Sequence, residues 1–264
     1  MFSQRTSNPV LKDDVFASAG SFAPGQIMTI QGTVNKSFLM LALLVASGAW
    51  IWHMATPQIV VGMGREDLAA QISGGLAKAM PFVIGGGIMG FILALVTIFK
   101  KEWAGFTAPA YAICEGLVLG GVSAMFELRY PGIVTQAVML TLGTLFCLLM
   151  AYKTGIIRVT DKFRLGVMVA TGAIGLLYLV SFILGFFHVQ IPFMHGSSLI
   201  SIGLSLFIVG IAALNLVLDF DFIEQGAQNG APKYMEWFGS FALMVTLVWL
   251  YMEILSLLSK LRER

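Results

Sequence analysis

The sequence predicts an all-α polytopic membrane protein with about seven transmembrane helices. Hydrophobic residues make up 58% of the 264 residues and charged residues only 11%, and the mean hydropathy is +0.86. A soluble domain carries about 25% charged residues, so this chain has too few charges to cover a water-facing surface. The net charge of +2 gives no basic field for nucleic acid. The composition therefore argues against a soluble enzyme or a nucleic-acid-binding protein, and it predicts a lipid bilayer around the chain.

Seven apolar runs predict the individual helices, because each has roughly 20 residues, enough to cross about 30 Å of hydrocarbon. In order, the runs are 37–55, 80–99, 108–126, 133–152, 165–187, 198–218 and 237–258. Helices are expected because lipid offers no partner to open backbone groups, and the alternation typical of a membrane barrel is absent. We expect one membrane domain over 37–264, preceded by a segment, 1–36, without the apolar region of a signal peptide.

Basic residues in the segments between the runs predict the orientation, since cytoplasmic loops carry an excess of Lys and Arg. The N-terminal segment and the loops after the second, fourth and sixth runs share one side and hold ten: Arg5, Lys12, Lys36, Lys100, Lys101, Lys153, Arg158, Lys162, Arg164 and Lys233. The loops of the other side hold three: Arg65, Lys78 and Arg129. The N-terminus is therefore predicted to be cytoplasmic. The basic tail after residue 258 disagrees, because a full crossing of the last run would place it outside.

Acidic residues within apolar runs are costly in a membrane, so each is a functional hypothesis. Glu115 lies near the middle of the third run, either as a protonated carboxyl bonded to a neighbouring helix or as part of a translocation path. Asp219 and Asp221 end the sixth run and point about 200° apart on a helix. We predict that Asp219 faces inward and Asp221 faces the cytoplasmic rim; the alternative is that both are ordinary interfacial charges.

The last run carries a polar stripe. Thr246, Glu253, Ser256 and Lys260 follow one another at helical spacings and share one face. A helix with such a stripe is expected to be surrounded by other helices rather than by lipid. Glu253 is then either a structural carboxylate within the bundle or a pathway or gating residue.

Small residues at four-residue spacing predict close helix packing. One such pair is Gly86 and Gly90, and another is Gly116 and Gly120. The sequence shows no nucleophile–base set, no metal-ligand motif and no nucleotide-binding motif. We therefore expect neither an enzyme nor a metal site nor a cofactor.

Four stretches together resemble a known family. They are MTIQGTVNK (28–36), APAYAICEGLVLGGVS (108–123), RVTDKFRLGVMVATGAI (158–174) and the long segment 215–261. In this order they are similar to the transmembrane Bax inhibitor motif superfamily, and specifically to its bacterial Bax inhibitor/YccA-like branch. The resemblance implies six helices around a central C-terminal helix, in a bacterial cytoplasmic (inner) membrane.

The resemblance also implies an activity. Members are associated with a leak of Ca²⁺ or other cations, controlled by pH through two acidic residues on the last two helices. The sixth-helix motif matches Asp219, and the last-helix motif matches Glu253, where the family pattern has Asp. Ca²⁺ would then be the transported ion rather than a bound cofactor.

Three functions remain open at this point. The first is a pH-sensitive cation (Ca²⁺) leak channel, with Asp219, Glu253, Asp221 and Glu115 as the candidate gate or ion-pathway residues. The second is a regulatory membrane protein that binds and modulates another membrane protein, such as a membrane protease. The third is a proton-coupled transporter. The sequence predicts neither the direction of transport nor the oligomeric state.

Overall fold

The computed structural model describes residues 26–56, 65–187, 196 and 198–264. Within these ranges the protein is all-helical, and seven of its helices are long and apolar enough to cross a membrane. They are α1 (Ile30–Ala55), α2 (Arg65–Phe99), α3 (Ala104–Arg129), α4 (Ile133–Lys153), α5 (Asp161–Phe186), α6 (Leu199–Gln228) and α7 (Met235–Arg262). A short 3-10 helix, Lys101–Trp103, joins α2 to α3. The predicted fold class of a seven-helix membrane protein is confirmed.

Several helices extend beyond the predicted apolar runs. α1 begins at Ile30, before the predicted start at 37, because the Thr29 side chain caps it by accepting a hydrogen bond from the Gly32 amide at 3.0 Å. The predicted N-terminal segment 1–36 therefore includes the first turns of α1, and its residues 1–25 lie outside the described residues. α6 continues to Gln228, well past the predicted end at 218. Hydropathy marks only the apolar part of a helix, so it does not locate polar turns at the ends.

The bundle has two ends, and contacts between helices identify them. At the Glu236 end, the first turns of α1 and α7 meet through Lys36 and Glu236. At the Arg262 end, the guanidinium of Arg262 donates to the Pro131 carbonyl at 2.8 Å, before α4 begins. The last apolar run is therefore one continuous helix that reaches the end opposite the start of α1, although its basic tail argued against a full crossing.

α7 occupies the centre of the bundle. It packs against α1, α3, α4 and α6, and the Tyr178 hydroxyl of α5 also reaches it. The largest buried cluster is built around this helix from residues with almost no solvent exposure, namely Ile133, Ala137, Ala212, Leu216, Leu250 and Leu255. α2 packs mainly against α1 and α3, and so forms an outer layer.

Glycines permit the closest helix contacts, as their spacing predicts. A Cβ at Gly120 in α3 would collide with the Gly48 carbonyl oxygen of α1, and one at Gly116 would collide with Leu44. A Cβ at Gly86 in α2 would lie 2.9 Å from the Cys114 carbonyl oxygen of α3. The small residues thus bring the backbones of α1, α2 and α3 together.

Candidate functional site

α6 and α7 pack antiparallel, and two contacts fix the register between them. Ser205 of α6 bonds Lys260 of α7, and Asp219 lies beside Thr246. The distance along α6 from Ser205 to Asp219 equals the distance along α7 from Thr246 to Lys260, which is four helical turns or about 21 Å. The register therefore places Glu253 level with Ala212, halfway between these two contacts. We call the set Ser205, Asp219, Thr246, Glu253 and Lys260 the polar column.

Asp219 lies well inside α6, because the helix continues for more than two turns beyond it. Its neighbour across the interface is the Thr246 hydroxyl, which also donates to the Ala242 carbonyl at 3.2 Å. The Oδ2 atom of Asp219 is buried and has no hydrogen-bond partner among the described residues. Asp219 is thus an inward-facing carboxylate with spare capacity to accept a proton or to contact a cation.

Glu253 is 7% exposed, and its Oε1 atom accepts two hydrogen bonds from neutral donors. The Tyr178 hydroxyl of α5 donates at 2.5 Å, and the Trp249 indole, one turn earlier on α7, donates at 3.0 Å. Glu253 therefore joins α5 to the central helix, and it forms no ion pair within the described residues. Aromatic donors hold one carboxylate oxygen in place, and the charge of an ionised Glu253 would have no counter-ion at this contact.

Lys260 is the last residue of the polar column toward the Arg262 end of the bundle. It is 9% exposed, and its Nζ atom donates to the Ser205 hydroxyl at 2.8 Å. Ser201, one turn away on α6, has a buried hydroxyl without a partner among the described residues. A buried ammonium thus stands two turns from Glu253 on the same face of α7.

Asp221 occupies a different place from Asp219, as their angular separation predicts. Its Oδ2 atom accepts from the Arg164 guanidinium at 2.6 Å and from the Gln225 amide at 2.7 Å. Arg164 follows the first turn of α5, so this ion pair joins α5 to α6 near the Glu236 end. With a cation and an amide already bound, Asp221 has the environment of a structural carboxylate.

Glu115 lies at yet another interface. It is half-buried on α3 beside the Tyr111 hydroxyl, and a Cβ at Gly90 of α2 would lie 3.5 Å from its Oε1 atom. Tyr111 in turn packs edge-to-face against Phe241 of α7 with ring centroids 5.0 Å apart. Glu115 therefore faces the α2–α3 contact, away from the polar column.

The structure thus brings two of the four candidate residues into one column and separates the other two from it. Even Asp219 and Glu253 lie at different levels, since Glu253 follows Thr246 by two helical turns, or about 10 Å. Each carboxylate has its own neighbours rather than the other carboxylate. The two acidic residues that the resemblance assigns to the gate are therefore not in contact in this conformation.

Sequence reasoning missed the most enclosed carboxylate. Glu236 is 0% exposed and binds two lysines, Lys36 of α1 and Lys233, the latter at 2.8 Å. The Thr29 amide and hydroxyl donate to its Oε1 atom at 2.9 Å each. The only local signal was Lys233 three residues earlier, because Lys36 and Thr29 lie some 200 positions away in the chain.

Comparison with known proteins identifies a family. The model of the family described as Bax inhibitor 1 like matches residues 8–263, which is nearly the whole chain. No curated protein and no solved structure gives a significant match. The matched region includes all seven helices and every residue of the polar column.

Proposed function

The chain belongs to the Bax inhibitor 1 like family, and from that premise we propose that it is a pH-sensitive cation leak channel that passes Ca²⁺. The observation that carries the proposal is the polar column. It places two carboxylates, Asp219 and Glu253, along the interface of α6 with the central helix, where their hydrogen-bond partners are neutral and the cation of the column, Lys260, stands two turns from Glu253. Ionisable residues within membrane spans are costly, and they mark ion pathways and proton relays.

The pH sensitivity follows from the partners of the two carboxylates. Neither carboxylate forms an ion pair within the described residues, and Lys260 acts on Glu253 from two turns away. Ionisation of both groups, about 10 Å apart on one interface, adds repulsion and a demand for water or cations between α6 and α7. Protonation removes that demand and lets the two helices pack. The α6–α7 interface is thus the two-state element of the proposed gate.

Calcium fits this column as a passing ion rather than a stored one. Ca²⁺ takes about 6–8 oxygen ligands, and two carboxylates on different levels do not supply them at once. Backbone carbonyls and water would complete each shell during transit, which gives the weak binding that conduction needs. Asp221 and Glu115 are secondary in this proposal, because the first is neutralised by Arg164 and the second faces the α2–α3 contact.

The test is Ca²⁺ flux into proteoliposomes that contain the purified full chain, between about pH 5 and about pH 8. The decisive variant is Asp219→Asn/Glu253→Gln. The matched control is Asp67→Asn/Glu102→Gln, which removes two exposed carboxylates outside the column. We expect a pH-dependent flux in the wild type and the control, and a flux without that pH dependence in the decisive variant.

Two other outcomes would redirect the proposal. A flux that depends on pH equally in all three proteins would keep the channel and overturn the gate. No flux from well-folded protein would overturn the channel and favour a regulatory protein that binds another membrane protein, which partner capture would then test.

The proposed location is the bacterial cytoplasmic membrane with a cytoplasmic N-terminus. It is supported by the basic residues that cluster at the Glu236 end. In a chain with Cys114 and Cys147 replaced by Ala, we expect Lys162→Cys to be shielded from a membrane-impermeant thiol reagent in intact spheroplasts. Arg264→Cys should react. The reverse labelling would contradict the orientation.

A further inference from the structure

A long groove opens on the side of the bundle between α1 and α4. It has a volume of about 840 Å³, within the range of about 300–1,000 Å³ that small-molecule sites occupy. α6 and α7, which both contact α1 and α4, form its floor. Its walls are mostly apolar and include Val34, Leu41, Leu145 and Leu149.

The groove has the length of one membrane leaflet. It begins at Ile30, at the Glu236 end of the bundle, and continues along α1 to Leu41. These residues lie about 16 Å apart on a helix, which is about half of the hydrocarbon thickness of roughly 30 Å. On the floor it reaches Leu247, near the middle of α7. An elongated apolar molecule that enters from one face of the membrane would therefore fill it.

Two cations stand at the mouth of the groove with their charges available. Lys153 ends α4 and Arg158 follows in the next loop, and both line the groove and are exposed. The Nε atom of Arg158 donates to the Gly155 carbonyl at 3.4 Å, and neither residue forms an ion pair within the described ranges.

The two acidic residues of the same groove are already occupied. Asp221 is bound by Arg164. The carboxylate of Glu224 accepts from the Tyr152 hydroxyl at 2.5 Å and from the Gln228 amide at 3.1 Å. The lining itself holds two cations and two carboxylates, but Arg164, just outside it, pairs with Asp221, so the charges around the mouth leave one cation in excess. Apolar depth below exposed cations is the pattern with which helical membrane proteins bind acidic lipid head groups.

We propose that this groove binds an anionic glycerophospholipid. One acyl chain lies along the floor against Phe220 and Leu247, and the phosphate lies against Lys153 and Arg158. A zwitterionic lipid carries its own cation beside the phosphate and gains less from these two residues. The inference concerns lipid binding and stands whether or not the chain conducts ions.

The test is native mass spectrometry of the detergent-purified full chain, titrated with phosphatidylglycerol or with phosphatidylcholine of the same acyl chains. The decisive variant is Lys153→Gln/Arg158→Gln. The matched control, Lys100→Gln/Lys162→Gln, removes two exposed cations of the same end that do not line the groove. We expect the decisive variant to bind phosphatidylglycerol about 10- to 30-fold more weakly, and the control to bind it as the wild type does.

A second variant tests the apolar part of the site. Leu149 is 43% exposed, so Leu149→Trp narrows the groove without altering the buried core, and we expect it to weaken binding of both lipids. Equal binding of the two lipids by the wild type would overturn the proposal, as would an equal loss in the control. Displacement of the lipid by soluble glycerol 3-phosphate would show a site for phosphate alone. Release of the lipid when a dimer forms would make a second copy the occupant.

Discussion

Glu236 and Glu253 belong to the same central helix and are both almost fully buried, yet they have opposite kinds of partners. Glu236 is surrounded by two lysines and by the Thr29 amide and hydroxyl. Glu253 accepts only from the Tyr178 hydroxyl and the Trp249 indole. The first carboxylate is in direct contact with cations, whereas the cation of the second, Lys260, stands two turns away.

This difference separates a structural role from a switching role. A buried carboxylate that is paired with cations is strongly destabilising to lose, because its removal leaves those cations uncompensated. When the donors are neutral, each hydrogen bond to the carboxylate makes only a modest net contribution to stability. A change in the charge of such a carboxylate then alters the interface around it. The Glu236 end of α7 is therefore expected to act as a fixed attachment to α1, whereas the polar column is the part that responds to conditions.

The largest effect should come from the attachment itself. We expect Glu236→Gln to lower the free energy of unfolding by about 3–5 kcal/mol, since it leaves Lys36 and Lys233 beside a neutral amide. Thermal unfolding in detergent would measure the change. Glu263→Gln is the control, because its partner Arg129 is largely exposed and such pairs contribute about 0–1 kcal/mol. A loss for Glu236→Gln no larger than the control would remove the contrast.

Tyr178→Phe should have an intermediate effect, because it removes one of the two donors to Glu253. A hydrogen bond to a charged group contributes about 1.5–3 kcal/mol, and Trp249 remains to hold the carboxylate. Tyr234→Phe is the control, because it removes the hydroxyl of a tyrosine whose side chain makes no hydrogen bond among the described residues. The same unfolding measurement applies, and equal values for the two variants would show that the contact with α5 contributes nothing.

Asp221→Asn should cost about 1 kcal/mol, because Arg164 in its ion pair is 43% exposed and therefore screened by water. The amide keeps an oxygen to accept from Gln225. Glu224→Gln, one turn later on α6, is a suitable comparison. A loss of unfolding free energy as large as that of Glu236→Gln would show that Asp221 holds α5 to α6 as firmly as Glu236 holds α7 to α1.

The smallest change in stability should come from Asp219→Asn. Its Oδ2 atom has no partner among the described residues, so a neutral amide loses little, and we expect a change within about 1 kcal/mol. Unfolding measured beside Thr246→Val would show whether the two share one interaction. A loss above about 3 kcal/mol would mean that Asp219 holds the bundle together and is not free to switch.

Much of the fold could be predicted from the sequence, because the apolar runs and the glycine spacings act locally. Gly116 and Gly120 made the contact with α1 that their spacing predicts. The ends of helices could not be predicted in this way. The turns after Asp219 contain Asp, Glu and Gln, and these residues form a helix without contributing to hydropathy.

The site was predictable only in part. The stripe on α7 marked Glu253 and Lys260, because seven-residue spacing keeps them on one face. The sequence could not predict that Asp219 faces Thr246. That contact depends on where α6 ends, and hydropathy does not mark the polar last turns of the helix. Glu236 was missed because its main cation, Lys36, is distant in sequence, and no local pattern reports such a partner.

The register between α6 and α7 limits how the central helix can move. A piston-like slide of α7 by one turn, about 5.4 Å, would shift Thr246 away from Asp219 and Lys260 away from Ser205 at the same moment, and both would then face a different turn of α6. A slide by seven residues, about 10 Å, would bring Glu253 level with Asp219, but only by pulling Glu236 away from Lys36 of α1. Rotation of α7 or a sideways parting of the two helices separates all the facing pairs without that displacement. The Glu236 end of α7, held by its ion pairs, then serves as the pivot, and the Lys260 end moves through the larger distance.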